Sequence, residues 1–323
     1  MCNFVVFIIK MQHTMENKNA QPLPIISLDN IDYYNKLYGF ETSHPLVAAV
    51  DLREARCAPT RPMKLRYGLY ALFLKHGVQC SIRYGRQKYD YQEGTVVSFA
   101  PGQMVEIVPT GKPVDAQPDI QGLLFHPDLI YGTQLGKHIS DYHFFDYESV
   151  ESLHLSEREQ QMFIDTLHSI NQELRQPVDP HSQTILVDRI KLLLDYCRRF
   201  YDRQFITRHK QNSDVLAAFE QNLRAYFADG TARREGLPTV GWFADKACLS
   251  PGYFGDLVKR ETGLSAQQYI QQKVVSLAKQ QILDESLSIS QVADALGFQY
   301  PQHFTRFFKR HVGVSPREYR DGE

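Results

Sequence analysis

Cysteine is scarce and scattered in this chain: Cys2, Cys57, Cys80, Cys197 and Cys248 stand far apart, with no C-x-x-C pair. That spacing argues against a structural zinc module or a disulfide framework and fits a reducing cytoplasm. A membrane-spanning run is missing too. The apolar stretch Phe4 to Ile9 is far shorter than the roughly 20 residues a bilayer span needs. It also has neither the basic leader nor the small-residue cleavage site of a signal peptide. Neither charge is in excess, with 36 Lys and Arg against 37 Asp and Glu. A uniformly basic, histone-like binder is therefore excluded, and any contact with nucleic acid has to come from a local patch. The 12 histidines form no H-x-H, H-E-x-x-H or mixed Cys/His cluster, so no metal site and no cofactor is expected. There is no G-x-S-x-G, no P-loop and no dinucleotide fingerprint.

What is present is 323 residues with 43% apolar and 23% charged side chains, enough for about two domains, each with its own core. Residues 1–14 are expected to be a tail outside the fold, since the composition turns polar at Met15. Between about 45 and 126 the chain reads as short strands bounded by Gly, Pro or charge: Leu46–Val50, Tyr70–Leu74, Cys80–Tyr84, Thr95–Phe99, Val105–Val108 and Gly122–Phe125. Many strands without helical periodicity between them suggest a barrel or double-sheet roll. Pro109 to Pro118 reads as a loop.

From Ser156 the period changes. Ser156-Glu-Arg-Glu159 is a capping-box pattern, followed by Phe163, Leu167, Ile170 and Leu174 at helical spacing. After the break at Pro177 and Pro180, a second helix starts near Thr184 with the stripe Leu186, Ile190, Leu193, Cys197 and Phe200. The pair reads as a helical hairpin that covers the β domain, joins two chains, or does both. Residues 213–228 form another amphipathic helix, and Ala228 to Pro238 reads as a linker.

The C-terminal part is a duplication. Lys259-Arg-Glu-Thr-Gly-Leu-Ser-Ala-Gln-Gln-Tyr269 recurs 50 residues later as Lys309-Arg-His-Val-Gly-Val-Ser-Pro-Arg-Glu-Tyr319. Phe243-Ala-Asp245 aligns with Val292-Ala-Asp294 at an offset of 49. Each copy reads helix, tight turn, helix. In the first, Thr239 caps a helix with Val240, Phe243, Ala244 and Ala247 inside, the turn is Cys248-Leu249, and Ser250 then Pro251 open the next helix. In the second, Ser288 to Gln291 is a capping box, Gly297 makes the turn, and Phe304, Phe307 and Phe308 are buried.

The outward face of that last helix is Gln302, Thr305, Arg306, Lys309 and Arg310. Gln302, Arg306 and Lys309 fall on one stripe about 10 Å long. Gln pairs with adenine and Arg with guanine in the major groove, while Lys and Arg neutralise phosphate. From Tyr300 to Arg320 there are five basic residues against one acid, which is the local patch the whole-chain charge conceals. His303 lies on the same helix and reads as a DNA contact. The first copy's outward positions, Gly252, Gly255, Asp256 and Lys259, are poor in donors, and Asp256 reads either as a cytosine contact or as a partner of Lys259 or Arg260. Ser250, Tyr253 and Tyr300 complete the candidate DNA-binding set.

The stretch Ile289 to Arg320 resembles the AraC/XylS transcription regulators. It fits their pattern of I-x-x-[IV]-A-x-x-x-G-F, then F-x-R-x-F-K, then G-x-[ST]-P-x-x-[YF]-R. The resemblance covers about residues 240–320 and implies two helix-turn-helix units joined by a long helix. More weakly, Gly94 to Gly102 is similar to the cupin strand-and-turn pattern of the family's sensor domain. Family members carry an Arg in the joining helix where this chain has Val274, with Lys273 just before it. A structural ion pair is therefore expected to be absent or supplied by Lys273.

The expected fold is multidomain α and β, with an N-terminal cupin-like β-barrel plus helical hairpin and a C-terminal all-α double helix-turn-helix. The expected limits are a tail at 1–14, a cupin-like sensor at 15–150, the hairpin at 151–208, a connecting helix and linker at 209–239, and the DNA-binding domain at 240–323. The resemblance implies a cytoplasmic, non-enzymatic transcription regulator, an activator in many members. Its partners would be a double-stranded DNA operator, a small-molecule effector, RNA polymerase and a second copy of the chain, with no membrane. Two alternatives stay open at this point: a DNA-alkyl repair protein with a nucleophilic Cys, and a metal-free cupin enzyme with an appended helix-turn-helix domain.

Overall fold

The computed structural model describes residues 23–59, 61–76, 94–107, 119–147, 151–207 and 209–322. The expected tail, the strand at 80–84, the loop at 109–118 and the last residue of the strand at 105–108 lie outside them. The chain divides into two compact units, Met1–Thr207 and Arg208–Glu323.

The first unit runs β1 (Ile25–Leu28), α1 (Ile31–Tyr38), β2 (Val47–Asp51), β3 (Met63–Tyr67), β4 (Tyr70–His76), β5 (Gly94–Phe99), β6 (Met104–Ile107), β7 (Ile120–Phe125), α2 (Pro127–Ile130), α3 (Gln134–His138), β8 (Leu153–Leu155), α4 (Glu157–Leu174) and α5 (Ser182–Thr207). Its strands make two sheets, β1-β3-β6 and β2-β7-β4-β5-β8. Among the described residues no ladder joins them, so the expected barrel is instead two open sheets. The physical reason is visible in the core, where α1 supplies Ile31, Tyr34 and Tyr38 to one cluster shared with both sheets.

The larger sheet is covered on both faces. Ala71 and Phe73 of β4 enter the shared core, while Leu72 and Leu74 are buried on the other side, so its strands show no polar alternation. That other side is covered by α4, which packs on β2, β7 and β8. Ser156 and Glu159 form the expected capping box of α4. Arg203 of α5 then binds the Glu159 carboxylate at 2.6 Å and the His154 carbonyl of β8 at 2.6 Å. Leu186, Ile190, Leu193 and Cys197 are all buried within their own unit. The stripe read as a possible dimer surface is therefore core, and the hairpin is a cover for the sheet.

The second unit holds α6 (His209–Ala228), α7 (Thr231–Glu235), α8 (Val240–Lys246), α9 (Pro251–Thr262), α10 (Ala266–Ile282), α11 (Ile289–Ala295), α12 (Pro301–Val312) and α13 (Pro316–Asp321). The duplication is visible residue by residue. Helices α8 and α11 are 7 residues each, and α9 and α12 are 12 each. Thr239 and Ser288 cap the first helix of each copy, and Gly263 and Gly313 end the second in the left-handed conformation. Capping boxes Ser265–Gln268 and Ser315–Glu318 open the helix that follows. The two turns also correspond, with Gly297 at φ 86 and Cys248 at φ 55. Glycine takes that conformation freely, whereas a residue with a Cβ is strained there.

Residues 209–239 fold with this unit and do not stand apart as a connector. In α6, Phe219 packs its ring on Phe243, Phe254 and Tyr269 at 4.9, 5.2 and 5.5 Å, so it joins α8, α9 and α10. The expected linker contains α7. The Asp229 carboxylate starts that helix by accepting from the Thr231 N–H at 2.9 Å and hydroxyl at 2.6 Å, and Ala232 is fully buried. Arg233 reaches the Asp294 carboxylate of α11 at 2.8 Å. A Cβ on Gly297 would lie 2.6 Å from the backbone of Gly236, so this segment seats directly on the second turn.

Candidate nucleic-acid interface

The candidate face of the second copy lies on α12. Pro301 sits in its first turn and Lys309, Arg310 and His311 in its last, a charge order that complements the helix dipole. Phe304 and Phe308, one turn apart, are fully buried and fix the rotation of the helix. That leaves Gln302, His303, Arg306, Lys309 and Arg310 exposed together on one side. Among the described residues, Arg306, Lys309 and Arg310 enter no ion pair, and the Lys309 charge acts at longer range on Glu318. Thr305 is half-buried and its hydroxyl donates to the Pro301 carbonyl at 3.0 Å. Exposed Tyr300 stacks edge-on with His303 at 5.4 Å.

In the first copy, Tyr253, Phe254, Leu257 and Val258 hold α9 against its neighbours. Two candidates are corrected here. Tyr253 is only 3% exposed and belongs to this buried face, and Ser250, equally buried, spends its hydroxyl accepting the Tyr253 N–H at 3.2 Å. Both side chains are thus enclosed within the unit. Lys259 is exposed, while Gly252, Gly255 and Asp256 are half-buried. A Cβ on Gly255 would meet nothing within 4 Å. No contact inside the chain therefore demands glycine there, although it weakens the helix by about 1 kcal/mol relative to alanine.

Not every basic residue counted in the sequence faces outward. Arg320 turns inward, donating from Nε to the Ile282 carbonyl at 2.7 Å and from Nη2 to the Leu287 carbonyl at 2.8 Å, which ties α13 to the end of α10. Glu318 is held below the usual carboxylate range by the Ser315 N–H and hydroxyl first, with Lys309 adding to the effect. Val274 of the joining helix is buried among apolar residues, and no ion pair of Lys273 is present among the described residues. The joining helix is thus held by apolar packing where an ion pair was one expectation. Arg233 and Gly236, by contrast, were passed over in the sequence. The signal was Asp229-Gly-Thr231, an N-terminal capping pattern inside a stretch that otherwise looks like a linker.

The thiol of Cys197 lies in the apolar core of the first unit, and burial pushes it well above its ordinary range, the opposite of an activated nucleophile. Among the described residues no group of three or more His, Cys, Asp or Glu is placed to hold a metal ion, and no helix is long and apolar enough to cross a membrane.

Residues 243–322 match the family described as a helix-turn-helix domain. Over 83 residues the chain is 37% identical to the HTH-type transcriptional regulator YobQ of Bacillus subtilis, covering 26% of this chain and 34% of that protein. Over 85 residues it is 34% identical to the transcriptional regulatory protein YesN of the same organism, covering 25% of this chain and 23% of that one. It thus spans about a third or less of these two relatives. The C-terminal domain of the response regulator yesN from Fusobacterium nucleatum is 25% identical, with a TM-score of 0.28 over 31% of this chain and 96% of that one.

Proposed function

We propose that this chain, whose C-terminal unit is an AraC-type helix-turn-helix domain, is a sequence-specific transcription regulator whose first unit senses a small molecule. The observation that carries the DNA reading is the exposed stripe Gln302, Arg306 and Lys309 on α12, the second helix of a duplicated helix-turn-helix. In this reading Gln302, His303 and Arg306 contact base edges, and Lys309, Arg310, Tyr300 and Thr305 position the helix on the backbone. From α9, Lys259 anchors to phosphate, and Gly252, Gly255 and Asp256 lie against the duplex. The partners are an operator in double-stranded DNA, RNA polymerase and a small-molecule effector. Activation is the proposed sign of action and the cytoplasm its place.

A second copy of the chain is also proposed. Since the Leu186–Leu193 stripe is core, pairing would use the open side of α5, where Ile185 and Leu192 are 36% and 47% exposed and seven residues apart.

Selection of bound duplexes from a randomised library at two salt concentrations tests the reading. The full chain is expected to enrich a defined sequence. Arg306→Ala should cost about 1–3 kcal/mol and relax the preference at one base pair. Lys259→Ala should weaken all sequences alike and lower the salt slope by about one phosphate contact. A full chain that enriches no sequence overturns the proposal.

A further inference from the structure

The core shared by the two sheets is not completely filled. Among α1, β3, β4 and β5 lies a cavity of about 50 Å³. At about 10–15 Å³ per water, the space holds a few waters, or part of a small molecule that enters it from its open side. Tyr34 and Tyr38, one turn apart on α1, form one wall with Tyr67 of β3. Phe73 and Phe99 form another, and half-exposed Lys75 stands at the edge. Gly122, opposite Phe73 in the ladder, leaves the space that the Phe73 ring occupies.

The three tyrosines are the unusual part. Their exposures are 1%, 5% and 5% for Tyr34, Tyr38 and Tyr67. None of their hydroxyls has a hydrogen-bond partner among the described residues, and none is fully enclosed. Burial pushes all three phenols above their ordinary range, and Tyr34 is raised further by its proximity to Tyr38 and Tyr67. All three are therefore neutral O–H donors at neutral pH. Phenylalanine would build the same apolar wall, so the three hydroxyls add donors that no group among the described residues takes up. Three donors gathered in an otherwise apolar cavity are the arrangement of a ligand site.

We propose that this cavity binds a small molecule with an apolar body, a single ring or a short chain, bearing an acceptor oxygen that the Tyr34, Tyr38 and Tyr67 hydroxyls hold. The oxygen belongs to a carbonyl or a carboxylate. A sugar or other polyol is excluded, because the aromatic and aliphatic lining would strip its hydroxyls of hydrogen bonds. For its regulatory meaning the inference rests on the sensor role proposed above.

The test is calorimetric titration and thermal melting of the full chain with benzoate, hexanoate, acetophenone and toluene, the last having the body without the oxygen. At least one oxygen-bearing probe is expected to bind at least tenfold more tightly than toluene and to raise the melting midpoint. Tyr34→Phe and Tyr67→Phe each remove one hydroxyl and keep the wall. They should fold as stably as the parent and lose at least tenfold in affinity for that probe, with toluene binding unchanged. Failure of every probe to bind, equal binding of toluene, or unaltered affinity in both variants overturns the proposal. Operator binding is read separately. A chain that binds an operator but no probe defeats the cavity proposal alone, and one that binds a probe but no DNA defeats the regulator reading alone.

Discussion

Cys248 and Gly297 occupy the same place in two copies of one turn, and both have positive φ. For a residue with a Cβ the left-handed conformation costs roughly 1–2 kcal/mol, while glycine's extra chain entropy returns part of that. Cys248→Gly is therefore expected to stabilise the second unit by about 0.5–1 kcal/mol. Gly297→Ala should destabilise it by more than about 2 kcal/mol, because strain and collision with the Gly236 backbone add. Urea unfolding followed through Trp242 fluorescence distinguishes the two. At Asp195, burial opposes the charge but hydrogen bonds from Lys191 at 2.6 Å and Tyr142 at 2.8 Å outweigh it, so its carboxyl sits below the usual range. A depressed acid contributes stability above its unfolded pKa of about 4, and that stability is lost as pH falls through the folded value. Melting from pH 6 to pH 3 should accordingly flatten in Asp195→Asn. Water screens this partly exposed group, so the difference should stay within about 1 kcal/mol.

Elements whose signals are local were the ones legible in advance. The capping boxes of α4 and α11 and the duplicated helix pairs depend on residues within a few positions of one another, and they lie where the sequence places them. Strand β8 is three residues long and β1 pairs in parallel with β3, a partner more than thirty residues away, so neither announces itself locally. The barrel expectation failed because α1 fills core space, a choice made in tertiary packing. Only part of the site was readable. Periodicity places Gln302, Arg306 and Lys309 outward, while Tyr253, a member of the candidate set outside the outward positions, lies on the buried face of α9, because a tyrosine can serve either face and its neighbours decide. Burial also decides the fate of the α5 stripe. Leu193 is fully enclosed, so Leu193→Asp should destabilise the first unit by about 4 kcal/mol or more. Circular dichroism melting is expected to show a less stable first unit; a well-folded monomer by light scattering would contradict this assignment.

At the scale of the whole chain, two units with separate cores divide the proposed labour of sensing and reading. Within the second, the two helix-turn-helix copies are tied twice. Helix α10 runs from one to the other, and the α6–α7 segment, packed on α8 and α9, reaches α11 and the second turn through Arg233 and Gly236. Two independent ties remove the swivel that one would leave, so the angular offset between α9 and α12 is set by the fold. A duplex turns about 34–36° per base pair. One base pair added between the two half-sites would carry the second groove that far out of phase, and a pair of heads without a swivel cannot follow it. Operators lengthened by one base pair are expected to lose the contribution of α9 or of α12 entirely in gel-shift titrations, and Arg233→Glu to restore part of it by loosening the second tie. The chain would then act as a gauge of helical phase, rejecting a site whose letters are all correct but whose spacing is wrong.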